Sequence, residues 1–261
     1  NNRLYEFLGR DHINQRLWDL GYSNTRIRHR LRISLSEELN RYTNPFVFYD
    51  KDQKVYEQPS LVGKVDLDIN YDDYLLGDFH YNNGKKNTGP LDFSTKNFMS
   101  IFEQHKFIKQ VMFPESITTK ERLDLSNEDY ALLYKKMSIL PRHSDYPKYP
   151  DYKSYYDGYC KFFMYGDTKD TIPDHIKIFN KIGLAYGFLL DNAYIIDTEN
   201  NVEFILTAVV YHNDNETMND DTYEYDTITI PFLAELGRKI YNIERAREKE
   251  YAPNFGRIIN K

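Results

Sequence analysis

The sequence has a single cysteine, Cys160, which excludes an intramolecular disulfide framework and a cysteine-based zinc site and reads as a small buried hydrophobe. It has no apolar run that approaches a membrane span. Basic charge is not in excess either: 34 Lys and Arg stand against 40 Asp and Glu, for a net charge of -6. Such a chain offers no basic face wide enough to neutralise a row of phosphates, so nucleic acid is excluded as an expected partner. Missing too are a Gly-rich phosphate loop, a His-Glu-x-x-His pair, a Gly-x-Ser-x-Gly elbow and a calcium loop. The seven His never recur at the i, i+4 spacing that puts two imidazoles on one helix face, so neither a metal site nor a cofactor is expected. Cys160 with His143 or His175 can be drawn as a thiol and its base, but no local signature supports the pair, and it is left out of the candidate site.

What is present is the composition of a globular protein: 41% hydrophobic and 28% charged residues, spread along 261 positions. That length admits one large domain or two small ones. Tyr and Phe, at 24 and 16, exceed the usual need of such a core and hint at stacking against a sugar or another flat ligand, although amphipathic packing is the simpler account. The chain opens on Asn1-Asn2-Arg3-Leu4 with neither an initiator Met nor a charged-then-apolar leader, which reads as a start removed by processing or truncation.

Leu4, Phe7, Leu8, Ile13, Leu17, Trp18 and Leu20 recur at helical spacing, and Gly9 and Gly21 punctuate two short helices. Residues 26–43 read as a long structured loop. Residues 46–89 read as an inserted hairpin or subdomain, with alternation over Val62 to Ile69 and an Asn82-Asn83-Gly84 turn. Helical periodicity returns at Phe98 to Val111, stopped by Pro114, and at Tyr130 to Met137, stopped by Pro141. Residues 147–170 are loop-like and dense in Tyr. Strands are expected over Ile176 to Lys181, Leu184 to Ile196 and Val202 to Tyr211, the last two joined by a turn at residues 197–201, before a closing helix through Leu233, Leu236 and Ile240. Helices, then a strand meander, then a helix argue for an α+β class, with helices packed on an antiparallel sheet.

One stretch carries chemistry: Asn180-Lys181-Ile182-Gly183-Leu184-Ala185-Tyr186-Gly187, then Asp191 to Ile196 and Phe204 to Tyr211. It resembles the sheet of class A β-lactamases, penicillin-recognising serine hydrolases in which a Lys-Thr-Gly or Lys-Ser-Gly triplet on an inner strand, followed by a hairpin, borders the active site. Asn2 to Gly9, Leu17 to Gly21 and Thr25 to Ile27 resemble the helix and segment that follow the Ser-Asp-Asn motif of that family. The resemblance runs over residues 2–43 and from about Asp92 to the end, with 46–89 unmatched, so the chain reads as a single β-lactamase/transpeptidase-like domain over 1–261. It is the C-terminal portion of that fold, with the N-terminal strands and the nucleophile helix missing.

The resemblance assigns substrate-binding roles to Lys181, Ile182, Gly183 and Asn40. Lys181 supplies the cation for a substrate carboxylate, Gly183 gives clearance, and the Leu184 amide serves the oxyanion hole. Ile182 departs from the pattern by lacking the hydroxyl. Glu37-Glu38-Leu39-Asn40 is similar to the loop that holds the deacylating water, but the position four before Asn40 is Ser36, which leaves Glu37 as a shifted general-base candidate. No Ser is followed three positions later by Lys, so the Ser-x-x-Lys nucleophile is not in these residues. The implied protein is a periplasmic or secreted serine hydrolase that forms an acyl-enzyme with a β-lactam, a peptidoglycan-like peptide or a related amide or ester. It needs no cofactor, and the fragment alone is inert. The alternative is a non-catalytic glycan- or peptide-binding protein on the same fold.

Overall fold

The computed structural model describes residues 2–68 and 73–259. In chain order it forms α1 (Asn2–Leu8), α2 (Arg10–Asp19) and α3 (Glu37–Asn40), then a hairpin of β1 (Phe46–Asp50) and β2 (Gln53–Gln58). Short strands β3 (Leu75–Leu76), β4 (Phe79–Asn82), β5 (Lys85–Thr88) and β6 (Leu91–Asp92) precede the helices α4 (Ile101–Met112) and α5 (Asn127–Ser138) and the helical turn α6 (Phe162–Tyr165). Strands β7 (Ile176–Ala185), β8 (Phe188–Asp197), β9 (Val202–Tyr211) and β10 (Thr217–Met218) follow, and then helices α7 (Ile230–Ala246) and α8 (Gly256–Ile259). The class is α+β, with helices and antiparallel sheets; among the described strands only β10 and β4 pair in parallel. The chain divides into two compact units, one of Asn1–Leu76, Pro90–Glu103 and Thr119–Glu121, the other of Gly77–Gly89, Gln104–Thr118 and Arg122–Lys261. Residues 46–89 are thus shared between the units rather than forming a body of their own. The alternation expected over Val62 to Ile69 ends on a residue outside the described set, and its described part carries only the isolated bridge of Val62 with Tyr42.

The first unit has a polar interior. Arg28 and Arg30 of the long loop are buried while Leu31 is exposed. A guanidinium tolerates burial when its donors are met. Arg30 donates to Glu6, to Asn40 Oδ1 at 3.1 Å and to the Tyr42 carbonyl at 2.6 Å, and stacks 5.1 Å over the Tyr5 ring. The loop has almost no strand partner, so asparagine amides complete its backbone hydrogen bonds. Asn14 accepts from the Ile27 N–H and donates to the Ile27 carbonyl, and Asn2 does the same for Leu31. Asn97 accepts the N–H groups of Arg28 and His29.

In the second unit, β7, β8 and β9 form an antiparallel meander in which ten residues of each strand pair without a register slip. Tyr186 and Gly187 close the first hairpin with φ of 55° and 82°, the pair of positive values that a two-residue type I′ turn requires. Side chains alternate across the sheet, so each face meets its own helices. On one face Ile176, Ile178, Leu189, Ala193 and Ile195 pack against Phe162, Phe163, Met164 and Leu233 of α7. On the other, Phe179, Tyr194 and Ile196 pack against Ile108, Val111 and Met112 of α4 and Tyr130 and Tyr134 of α5. The central strand β8 is consequently buried almost throughout. Helix α5 starts on a capping box between Ser126 and Asp129 and ends before Pro141, and α4 ends before Pro114, as the sequence indicates.

Candidate functional site

Lys181, Ile182, Gly183 and Leu184 lie on β7, an outer strand of the three-stranded sheet. They pair with Asn192, Asp191, Leu190 and Leu189 of β8 in that order. Lys181 and Leu184 are exposed, and the Lys181 ammonium donates to the Ile182 carbonyl. Gly183 is the informative member. A methyl group built there meets nothing nearer than Leu190 Cδ2 at 3.9 Å, and its φ is not in the left-handed region. The fold therefore has room for a side chain at this position and no conformational need for glycine, although glycine inside a strand costs roughly 0.5–1 kcal/mol relative to Ala. A glycine that the protein's own packing does not require leaves the strand backbone bare toward whatever approaches the exposed segment.

Beneath this segment runs a buried polar relay. Lys161 donates to the Met137 carbonyl at 2.6 Å and to Asn180 Oδ1 at 2.7 Å. Asn180 donates to the Cys160 carbonyl and to Asp191 Oδ1, both at 2.9 Å. Asp191 Oδ2 accepts the N–H groups of Phe162 and Phe163 at 3.1 and 3.2 Å. Burial pushes Asp191 up to about 6 and Lys161 down to about 8, so at neutral pH both are charged and separated by one amide. The relay ties the 160–163 backbone to β7 and β8 on the sheet face that Ile182 shares, opposite the face of Lys181.

Glu37 and Asn40 lie in the first unit, on α3. Glu37 Oε1 accepts from Arg10 Nη1 at 2.8 Å and Oε2 from Arg41 Nε at 3.0 Å. The Arg41 hydrogen bond above all, against the opposing effect of burial, holds its carboxyl below the usual range. A general base works best with a pKa near the working pH, so Glu37 is suited to clamping two arginines. Asn40 is buried and spends its side chain locally, donating to the carbonyls of Leu35 and Ser36 and accepting from Arg30. Around Glu37 the first unit has an open polar cleft of about 670 Å³, with Arg28, Arg41, Asp66, Asp68 and Tyr74 on its walls.

No family model matches the chain, no curated protein matches its sequence, and no solved structure matches its fold. Among the described residues no helix is long and apolar enough to cross a membrane.

The sequence reading missed the Lys161–Asn180–Asp191 relay, because a lysine in a loop is ordinarily solvated and nothing in its spacing marks it as buried. One signal was available: Asn180, Asp191 and Asn192 are polar residues in otherwise apolar strands, and such residues need partners. Cys160 is half-buried rather than part of the core, and burial raises its thiol away from the reactive thiolate.

Proposed function

We propose that this chain supplies the substrate-holding strand of a serine acyl-transfer hydrolase of the class A β-lactamase-like, penicillin-recognising kind. The carrying observation is Gly183, a glycine the fold does not need, two residues after an exposed Lys on an outer strand. A carboxylate-bearing amide laid along β7 meets fixed positive charge at Lys181 and unobstructed backbone at Gly183. The Leu184 N–H is the donor for the oxyanion that forms when a serine attacks the carbonyl. In that step the Ser oxygen–carbon bond forms, the hydroxyl proton passes to a base beside the Ser, and the amide C–N bond breaks as that proton is delivered to the leaving nitrogen. The reading requires a nucleophile beyond the Ser residues of this sequence, none of which precedes a Lys by three positions. Ile182 offers no hydroxyl to the carboxylate, which favours a slow peptidase- or esterase-like hydrolase over an efficient β-lactamase.

Intact-mass measurement of the native, full-length protein with and without benzylpenicillin tests the chemistry. A stable adduct is expected, and no adduct on a protein of complete mass removes the reading. Within the chain itself, Lys181→Ala is expected to abolish the ligand-dependent thermal shift while leaving the melting temperature of the free protein nearly unchanged. A large loss of stability with ligand response intact makes Lys181 structural instead. Gly183→Ala separates the same roles from the other side. It is expected to leave stability unchanged or raise it by roughly 0.4–1 kcal/mol while weakening the ligand response; a destabilised variant with normal ligand response contradicts the clearance role.

A second reading, a glycan- or peptide-binding protein, draws on a tyrosine patch in the second unit. Tyr149, Tyr155 and Tyr159 lie in successive ring contact at 4.8 and 5.1 Å, and Tyr159 is about half exposed. That reading is favoured if soluble peptidoglycan fragments bind and Lys181→Ala leaves their affinity unchanged.

A further inference from the structure

At the end of the sheet where the β7–β8 turn lies, the residues after β9 and the segment before α7 bring together three metal-ligating side chains. His212, Asp214 and Glu224 each place a donor atom so that all three lie within 4.8 Å of one another. His212 Nε2 is 2.8 Å from Asp214 Oδ1 and 4.0 Å from Glu224 Oε2. The short contact lies off the direction a hydrogen bond needs, for Nε2 is shielded from solvent and has no hydrogen-bond partner. A shielded imidazole nitrogen without a hydrogen bond calls for a partner, and a cation shared with the two carboxylates would supply one.

Charge points the same way. From Asn213 to Ile230 the chain carries Asp214, Glu216, Asp220, Asp221, Glu224 and Asp226 and not one Lys or Arg. Among the described residues the ion-pair contacts of Asp214 and Glu224 are to His212 alone. The backbone around the cluster is fixed: the His212 N–H donates to the Gly187 carbonyl at 3.1 Å, the Gly187 N–H donates to Tyr225 Oη at 2.9 Å, and the Asp214 N–H donates to Glu224 Oε2 at 3.2 Å. Donors about 2.1 Å from a tetrahedral ion stand roughly 3.4 Å apart, so small side-chain rotations close the observed spacing. The cluster differs from that of His175, where Asp197 already accepts from Tyr241, Asn200 and the Glu199 N–H.

We propose that His212, Asp214 and Glu224 bind a divalent transition-metal ion, of which Zn²⁺ is the probe, and that the ion fastens the end of β9 to the segment leading into α7. One imidazole and two carboxylates make a borderline donor set that favours such ions over Ca²⁺ or Mg²⁺, which take oxygen ligands. The site is partly exposed, so solvent completes the coordination. The expectation from sequence that the chain has no metal site rested on the lone cysteine, the missing calcium loop and the lack of paired His on a helix, whereas these ligands come from the residues just after β9 and the loop that follows.

The test is calorimetric titration of the chelator-stripped chain with ZnCl₂, with the thermal shift as a second readout. Saturable binding of one ion per chain and an upward thermal shift are expected. His212→Ala and Glu224→Gln are each expected to weaken binding on the order of tenfold or more, and His175→Ala and Cys160→Ser to leave it unchanged. If His212→Ala does not fold, Glu224→Gln, which keeps size and shape, decides. No saturable binding by the unmodified chain, or undiminished affinity in Glu224→Gln, overturns the site.

Discussion

Lys161→Met is expected to destabilise the chain by about 3–5 kcal/mol at neutral pH, the usual cost of leaving a buried charge without its partner. The cation and Asp191 are bridged by Asn180, and both charged groups are almost wholly enclosed. Removing the ammonium leaves a carboxylate held by two backbone N–H groups and one amide, with no positive charge to offset its desolvation. The loss should depend on pH, and its sign follows from the direction of the Asp191 shift. Burial raises Asp191 from 3.8 to about 6 in the folded protein, so between those values the folded state binds more protons than the unfolded one. Stability from this group therefore falls as pH rises through the window. Without Lys161, which draws the carboxyl down, the folded value climbs further and the window extends upward. Thermal melts of the variant and its parent across mildly acidic to mildly alkaline buffers check this. The deficit should be smallest on the acid side and grow with pH, and a deficit that does not vary with pH rules out an unpaired Asp191 as its source.

Gly158→Ala is expected to prevent stable folding of the second unit. A methyl group on Gly158 would sit 2.0 Å from the Tyr165 carbonyl oxygen and 2.7 Å from its carbon, with the Thr168 oxygen at 3.3 Å. These are backbone atoms, which cannot swing aside as a flexible side chain does. Ordinary overpacking costs 1–3 kcal/mol, and an overlap of this depth with backbone exceeds that range, so a loss of about 4 kcal/mol or more is expected. The segment is also anchored on both sides. The Asp157 carboxylate accepts from the Ile172 N–H at 2.9 Å and pairs with Arg142 Nε at 2.9 Å, and Lys161 enters the relay three residues later. Labelling of Cys160 by a thiol reagent reports the outcome: slow in the parent, fast in the variant. Slow labelling together with an unchanged melting temperature shows that the segment yields without loss. Gly183→Ala, where the methyl has space, is the matched control.

Much of the second unit is legible in the sequence. Pro114 and Pro141 end helices, and the apolar face through Leu233, Leu236 and Ile240 marks α7. The turn between β7 and β8 is placed differently. Sequence reading breaks the strands near Gly183, since glycine is the usual mark of a break, whereas β7 runs on to Ala185 and the chain reverses at Tyr186-Gly187. A tyrosine at positive φ is not a turn signal that composition supplies; the register of two apolar strands enforces it. The first unit is less legible because its order rests on arginines and asparagines pointing inward, which hydrophobic periodicity cannot detect. Of the candidate site, Lys181 ends an expected strand, but Gly183 falls in the expected break and the structure carries β7 through it, as an outer strand of the sheet. Glu37 and Asn40 share a helix, but hydrogen bonds to neighbours already occupy both, and contacts made through folding are invisible to residue spacing.

The three-stranded sheet also has a practical side. Its outer strand β9 reads Val-Glu-Phe-Ile-Leu-Thr-Ala-Val-Val-Tyr, ten residues with Glu203 as the only charge, and no described strand pairs along its far side. Proteins usually blunt such edges with lysines, prolines or bulges, and this one has none of them. Material handled at high concentration, or held near its unfolding transition, should therefore lose solubility through strand-to-strand association. A lysine placed at exposed Val209 is the natural gatekeeper for keeping the isolated chain in solution.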